Sequence, residues 1–149
     1  MPQASNTVTI AKPVHDVFAY VADATNDPKW RSGVLDLTLA SGDGPGLGAV
    51  YKQGVKGPGG RRIAADFRIT AFDPEHAFAF ETIAGPVRPT GRFGFEPADG
   101  GSATAVTFSL EAELGGLKRL FMGKMVQRTM DAEVGALSEL KRVLEQPSG

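Results

Sequence analysis

The longest regular pattern of apolar positions in the chain lies in residues 117–144. If each residue turns by about 100°, the apolar side chains of this segment recur on one side of a helix. They are Met122, Val126, Met130, Leu137, Leu140 and Leu144. At the usual rise per residue such a helix is roughly 42 Å long, enough to cross a domain of this size. The pattern predicts one long amphipathic helix whose apolar stripe packs against a sheet.

Shorter segments in which apolar and polar residues alternate precede this helix and predict seven strands. They are residues 7–11, 34–39, 49–55, 61–72, 77–82, 89–96 and 103–112. In 34–39 the alternation places Leu35, Leu37 and Leu39 on one face. The longest alternation, in 61–72, predicts one continuous strand with a buried face and an exposed face. Its apolar face consists of Ile63, Ala65, Phe67, Ile69 and Ala71.

The segment between the first two strands predicts one or two short helices. Pro13 suits the first turn of a helix, and the apolar residues of 14–21 recur at helical spacing. Residues 23–30 predict a second helical turn or an ordered loop that ends at Trp30. Turns rich in glycine and proline join the remaining strands, which favours an antiparallel meander. The sequence therefore predicts an α+β fold in which a curved seven-stranded antiparallel sheet wraps around the long C-terminal helix.

Length, charge and composition limit the classes of partner. The 149 residues make one domain of ordinary size, and residues 146–149 are expected to form a disordered tail. A formal net charge of -1 argues against nucleic acid as a partner. The chain has no cysteine, secretion signal or apolar run of ~20 residues that could span a membrane. We expect a cytoplasmic monomer or homodimer with no integral membrane association.

Several local motifs resemble those of a known superfamily. Residues 8–21 (VTIAKPVHDVFAYV), followed by residues 26–30 (NDPKW), resemble the start of the START-like (SRPBCC) superfamily, in particular its polyketide cyclase/dehydratase-like branch. The FGFEP strand end at 93–97, the TAVTF strand at 104–108 and the closing helix agree with it in the same order. This resemblance covers nearly the whole chain. It implies a helix-grip fold with an apolar cavity between the sheet and the long helix.

The resemblance implies a function less sharply than a fold, because members of the superfamily carry lipids, bind hormones, cyclise polyketides or activate chaperones on one scaffold. The function we expect is binding of a small hydrophobic molecule, which could be lipid-like, aromatic or polyketide-like. One alternative is a polyketide cyclase/dehydratase that acts on such a molecule. Another is a chaperone-activating or protein-interaction module. That module would need an apolar patch on the outer face of the sheet, where charged residues alternate.

The sequence offers little obvious catalytic chemistry. Its two histidines have no metal-ligand spacing, and the glycines of 42–48 match no phosphate-binding motif, so no cofactor or metal is expected. An enzyme of this type would fold a flexible polyketone in a dry pocket, with one or two polar groups assisting proton transfer. The candidates for that role are Glu133, Tyr51 and Arg92. The simpler interpretation of Arg92 is a cross-strand ion pair with an acidic residue.

Aromatic and aliphatic residues on the inward faces are the candidate ligand-binding residues, since such pockets are mostly apolar with few polar groups. The set is Trp30, Tyr51, Phe67, Phe80, Phe93, Phe121, Met125, Thr129 and Glu133. Ordinary core packing explains most of the phenylalanines of the chain, and a cavity collapsed onto them is the alternative. In that case the cavity is filled by the protein's own side chains.

Glu133 is the most informative member of this set. The helical count places it about 20° from Met122, inside the apolar stripe. A carboxylate there is costly unless it is paired, protonated or solvated. One interpretation is that it meets an inward arginine, or that a kink at Gly123 or Gly135 rotates it outward. The other is that it forms a polar point in the cavity wall and positions a ligand or transfers a proton.

Overall fold

The computed structural model describes residues 2–146, apart from the side chains of residues 117–119. The strands are β1 Gln3–Ile10, β2 Val34–Ser41, β3 Val50–Lys56, β4 Arg62–Ala64, β5 Phe67–Asp73, β6 Ala77–Thr82, β7 Thr90–Ala98 and β8 Ala103–Glu111. The α-helices are α1 Val14–Ala22, α2 Gly116–Gly135 and α3 Leu137–Glu145, and a 3-10 helix spans Ala24–Lys29. The predicted disordered tail lies outside the described residues, except for Gln146.

One antiparallel sheet organises the molecule. Its strand order is β1-β8-β7-β6-β5-β3-β2, and the short β4 pairs with β3 beside this path. β5 to β8 form a meander, while β1 pairs with β8 along its whole length. The sheet curls around the C-terminal helices, so the predicted α+β architecture and the helix-grip fold are confirmed. The strands along this path number seven, as predicted, and β4 is an additional short one.

The predicted strand at 61–72 is interrupted, and this is the main correction to the sheet. β4 pairs with the end of β3, whereas β5 pairs with its beginning, and Ala65 and Asp66 lie between them. The backbone N–H of Ala65 still donates to the Gln53 carbonyl, at 2.8 Å. The Asp66 carboxylate accepts from the Gln53 N–H at 3.1 Å. The break therefore keeps its hydrogen bonds while β3 changes partner.

Two strands depart from simple alternation because of register shifts. In β5 a shift between Ile69 and Ala71 leaves Ala71 exposed and packs Phe72 against the core, so the predicted burial of Ala71 is wrong. In β2 a shift follows Val34, which is the buried residue there. As a result the face predicted for Leu35, Leu37 and Leu39 is not buried as a whole. Of these three leucines only Leu37 packs against the core, and Leu35 and Leu39 are exposed.

The predicted long helix is divided into α2 and α3. The division falls at Gly135 and Ala136, where a glycine lowers helix propensity and leaves no side chain to pack. The backbone N–H of Ala136 turns back to the Glu133 carbonyl at 3.1 Å. Both helices still lie on β1, where Asn6 donates to the Val134 carbonyl at 3.0 Å. The apolar stripe continues across the break in Val126, Met130, Leu137 and Leu140, which are all buried.

Aromatic packing fills the space beneath α1. Phe18 of that helix meets Phe95 edge-on, with ring centroids 5.1 Å apart. Behind it, Phe93 stacks on Phe108 at 4.2 Å and on Phe78 at 4.9 Å. Such pairs add to the free energy gained by burying the rings alone. The core is thus densely aromatic on the α1 side, and the remaining interior space lies toward α2.

Candidate functional site

A cavity of about 430 Å³ lies between the concave face of the sheet and α2. At ~30 Å³ per water-sized group it has room for roughly 14 such groups, the size of a small organic molecule. The apolar lining comes from both sides. The sheet contributes Phe67, Ile69, Phe78, Phe80, Phe93, Phe108 and Leu110, and the helix contributes Met122, Met125, Val126 and Met130. The protein's own phenylalanines therefore form the wall without filling the space.

Solvent-exposed lining residues mark the opening of the cavity. They are Lys56 at the end of β3, Pro58 just after it, Ala64 at the end of β4, Pro86 in the loop before β7, and Met125 and Thr129 on α2. The Thr129 hydroxyl donates to the Met125 carbonyl one turn earlier, at 3.0 Å. Because the hydroxyl is used in this bond, the methyl group is the main part of the Thr129 side chain that is available to contact a ligand. The opening is thus formed by two loops and the exposed edge of α2.

Most of the predicted ligand-binding residues line this cavity. Those that do are Phe67, Phe80, Phe93, Met125, Thr129 and Glu133. Alternation along the strands and helical periodicity together account for this group, because each lies on the inward face of its element. Their role in binding a ligand stays a prediction.

Trp30 and Tyr51 are buried behind the cavity wall instead of forming part of it. Tyr51 is 1% exposed and stacks on Phe67 with ring centroids 5.1 Å apart. Burial raises the pKa of its hydroxyl, and the Asp23 and Asp27 carboxylates raise it further. Among the described residues, neither the Tyr51 hydroxyl nor the Trp30 indole N–H has a hydrogen-bond partner. Both side chains support the lining from behind.

Phe121 and Arg92 lie outside the cavity, contrary to the prediction. Phe121 is 78% exposed because it precedes Met122 and so points about 100° away from the inward stripe. Arg92 is exposed on the outer face of β7, between the buried Gly91 and Phe93. Neither side chain reaches the space enclosed by the sheet.

An inward arginine does exist, and it is Arg31, a residue outside the set predicted from the sequence. Its Nε donates to Glu133 Oε2 at 2.8 Å. Its Nη1 donates to Asp27 Oδ2 at 2.9 Å and to Gln53 Oε1 at 3.0 Å. All four side chains line the cavity and are joined by these hydrogen bonds into one polar cluster, which we call the polar end. Glu133 is therefore both paired with an arginine and placed in the cavity wall.

Local sequence explains how Arg31 is held there. Asp23 caps the 3-10 helix by accepting from the Thr25 N–H at 3.2 Å. At the other end of that helix, the Arg31 N–H donates to the Asp27 carbonyl at 2.8 Å, so the two side chains share one side of a turn. Gln53 is oriented by the break between β4 and β5, since its Nε2 donates to the Ala65 carbonyl at 3.0 Å. The strand interruption thus helps to build the polar end.

The charges of the polar end are strongly coupled. Burial raises the pKa of the Asp27 carboxyl to about 6, although the Arg31 guanidinium acts in the opposite direction. Burial disfavours the Arg31 cation, but Glu133 and Asp27 together hold its pKa above the ordinary arginine value. Arg31 therefore carries its positive charge at neutral and weakly acidic pH. The charge of Asp27 changes in the weakly acidic range.

Two sequence signals point to separate parts of this site. A carboxylate at position 133, inside an apolar stripe, requires a compensating cation. The spacing of Asp27 and Arg31 is also that of an i,i+4 ion pair. Nothing in the sequence connects this turn with a helix that follows about a hundred residues later. Only the fold brings them together.

The described part of the chain has neither a membrane-spanning helix nor a cluster of metal-binding side chains. No helix in it is long and apolar enough to cross a membrane. Within the same residues, no cluster of three or more histidine, aspartate or glutamate side chains could hold a metal ion.

Solved structures with the same fold include proteins of low sequence identity. A START superfamily protein from Mycobacterium smegmatis is 17% identical, with 93% of this chain and 98% of that chain covered and a TM-score of 0.64. The Zhui aromatase/cyclase from Streptomyces sp. R1128 is 18% identical, with 95% and 94% covered and a TM-score of 0.67. The protein TTHA0849 from Thermus thermophilus is 21% identical, with 97% and 100% covered and a TM-score of 0.72. These likenesses establish the fold.

The family is established by sequence. None of the curated proteins matches the chain significantly. The family model described as polyketide cyclase / dehydrase and lipid transport matches residues 1–145. That match covers both the sheet and the C-terminal helices, and it confirms the resemblance to the polyketide cyclase-like branch. The chain belongs to the polyketide cyclase/dehydrase and lipid transport family, within the START-like (SRPBCC) superfamily.

Proposed function

We propose that this protein binds one small hydrophobic molecule, lipid-like, aromatic or polyketide-like, in the cavity between the sheet and α2. The observation that carries the proposal is the cavity itself, about 430 Å³ of mostly apolar space that is open to solvent on one side. A cavity of this kind binds through the apolar surface that the ligand removes from water. The polar end then orients the ligand.

A neutral fluorescent probe tests this proposal. N-phenyl-1-naphthylamine should bind at a single saturable site with increased fluorescence. Thr129→Trp places a large ring at the opening, without touching the buried core, and should weaken probe binding by about ten-fold or more. Arg128→Trp is the matched control, because Arg128 is exposed on the same helix and does not line the cavity. Absence of saturable binding, or an equal loss in both variants, would contradict the proposal.

A second candidate function is polyketide cyclisation. The position of the Glu133 carboxylate in the cavity wall favours it. Its Oε1 has no partner among the described residues and belongs to a cavity-lining side chain, so it could accept a proton from a bound substrate. Arg31, on the other carboxylate oxygen, could stabilise a developing enolate. Incubation with a linear poly-β-ketone thioester should then give a product lighter by one water. Glu133→Gln should abolish this product while probe binding persists, and turnover that survives the substitution would exclude Glu133 as the base.

The cellular context belongs to the same proposal. Residues 1–149 form one domain that works in the cytoplasm as a monomer or homodimer, without nucleic acid. The lack of cysteine and the near-neutral net charge support this context. The protein-interaction alternative has some support in Leu35 and Leu39, which are exposed on the edge strand β2. Fluorescence measures binding of the probe in the cavity, and size-exclusion chromatography measures complex formation with another protein. Together they separate these functions, because only an interaction module would act while its cavity stays empty.

A further inference from the structure

The polar end of the cavity has a definite set of unused hydrogen-bonding atoms. Arg31 Nε and Nη1 are occupied by Glu133, Asp27 and Gln53. Within the described residues, no group accepts from Arg31 Nη2, and none donates to Glu133 Oε1 or Asp27 Oδ1. The atoms left for a ligand are therefore one donor and two acceptors. A group that both accepts and donates, such as a hydroxyl, satisfies this set better than a group that only accepts.

The charge of the polar end also favours a neutral ligand group over an anionic one. Two carboxylates, Asp27 and Glu133, face a single guanidinium, so the cluster carries one excess negative charge when both are ionised. Asp23 and Asp66 lie close by and are also acidic. Apart from Arg31, the cationic side chain among the described lining residues is Lys56, which is exposed at the opening. A ligand carboxylate would thus bring a second excess negative charge into a poorly solvated site, where like charges repel strongly.

This reasoning rests on the proposed function and makes it more specific. We infer that the polar end selects an apolar molecule that carries a hydroxyl head group over the same molecule with a carboxylate. Arg31 Nη2 donates to the hydroxyl oxygen, and the hydroxyl proton goes to Glu133 Oε1 or Asp27 Oδ1. The apolar body of the ligand lies along Phe80, Phe93 and Met130. Arg31 and Glu133 are in this sense specificity-determining residues.

A pair of ligands that differ only in the head group provides the test. Decan-1-ol and decanoate are each smaller than the roughly 14 water-sized groups for which the cavity of about 430 Å³ has room. Both are used in displacement of N-phenyl-1-naphthylamine, below the solubility limit of decan-1-ol and the micelle-forming concentration of decanoate. At about pH 8, where decanoate is ionised, decan-1-ol should bind at least about ten-fold more tightly. Decane serves as the reference that measures the contribution of the apolar chain alone. Tighter or equal binding of decanoate would overturn the inference.

A charge-neutral variant separates selection by the polar end from a general effect of the protein's charge. Glu133→Gln removes the excess negative charge and should reduce the preference for decan-1-ol about five-fold or more. Asp131→Asn removes the same charge from the exposed side of α2 and should leave the preference unchanged. If Glu133→Gln does not fold, Asp27→Asn provides the equivalent change. A preference that changes equally in the site variant and in Asp131→Asn would overturn the inference.

The outcomes for the two proposals differ. If the wild-type protein does not bind the probe, the proposed function fails, and this inference fails with it. If the probe binds and both ten-carbon ligands displace it with equal strength, only the inference about the head group fails.

Discussion

Replacing Arg31 by methionine removes the cation between two carboxylates and keeps an unbranched apolar side chain in place of the arginine stem. The Arg31 side chain is 13% exposed, and those of Asp27 and Glu133 are 10% and 22% exposed. Two acidic groups would then face each other in a poorly solvated site, without a counter-charge. Breaking a buried ion pair in this way costs about 3–5 kcal/mol in the free energy of unfolding. For a chain of this length that is a fall in Tm of roughly 6–20 °C.

The assay is urea unfolding at pH 7, supported by thermal melts. The double variant Arg31→Met/Glu133→Gln should recover part of the loss, because it removes one of the stranded charges. Arg142→Met is the control for an exposed pair, since its partner Glu139 is 42% exposed, and its effect should be a small fraction of that of Arg31→Met. A loss in Arg31→Met no larger than in Arg142→Met would refute the view that the polar end is a buried charge cluster.

The remaining predictions concern single side chains of the site. The folded protein raises the pKa of Asp27 from 3.8 to about 6, so stability should fall by about 3 kcal/mol as the pH rises through this interval. In Asp27→Asn the free energy of unfolding, measured by urea titration at a series of pH values, should no longer show this fall. A pH profile equal to that of the wild-type protein would contradict the assignment of the fall to Asp27. Tyr51→Phe removes a buried hydroxyl that has no partner among the described residues, and it should be neutral or stabilising by about 1 kcal/mol. A loss of several kcal/mol in chemical unfolding would show that the hydroxyl is bonded. Phe121→Ser should leave probe affinity unchanged, whereas Phe80→Ala should alter it, because only Phe80 lines the cavity. Equal effects on the probe would place the binding site elsewhere.

Periodicity predicts the elements of this fold well, because alternation and helical spacing are local properties. It cannot show where β3 exchanges one partner for another, since Ala65 and Asp66 keep the alternation while the pairing changes. The shift that exposes Ala71 is likewise set by the neighbouring strand. A glycine at position 135 indicates a possible kink, but not the direction in which Glu133 points. In the structure the carboxylate faces inward in the turn before the break.

The candidate site is predictable where burial follows from the face of an element. Phe67, Phe80 and Phe93 line the cavity for that reason. Burial alone does not separate the cavity lining from the layer behind it, which is why Tyr51 belongs to the predicted set. The need for a cation beside Glu133 follows from the physics of a buried charge. Its identity as Arg31 depends on a contact between distant parts of the chain, which only the folded structure reveals.

The most direct test of the central claim is native mass spectrometry of the wild-type protein and Thr129→Trp, each mixed with N-phenyl-1-naphthylamine and a panel of lipids and aromatic polyketides. We predict a one-to-one complex with at least one apolar compound for the wild-type protein, and its loss in the variant with the blocked opening. A wild-type protein that stays at its bare mass with every compound, and whose melting temperature none of them shifts, would contradict the claim that the cavity is a binding site.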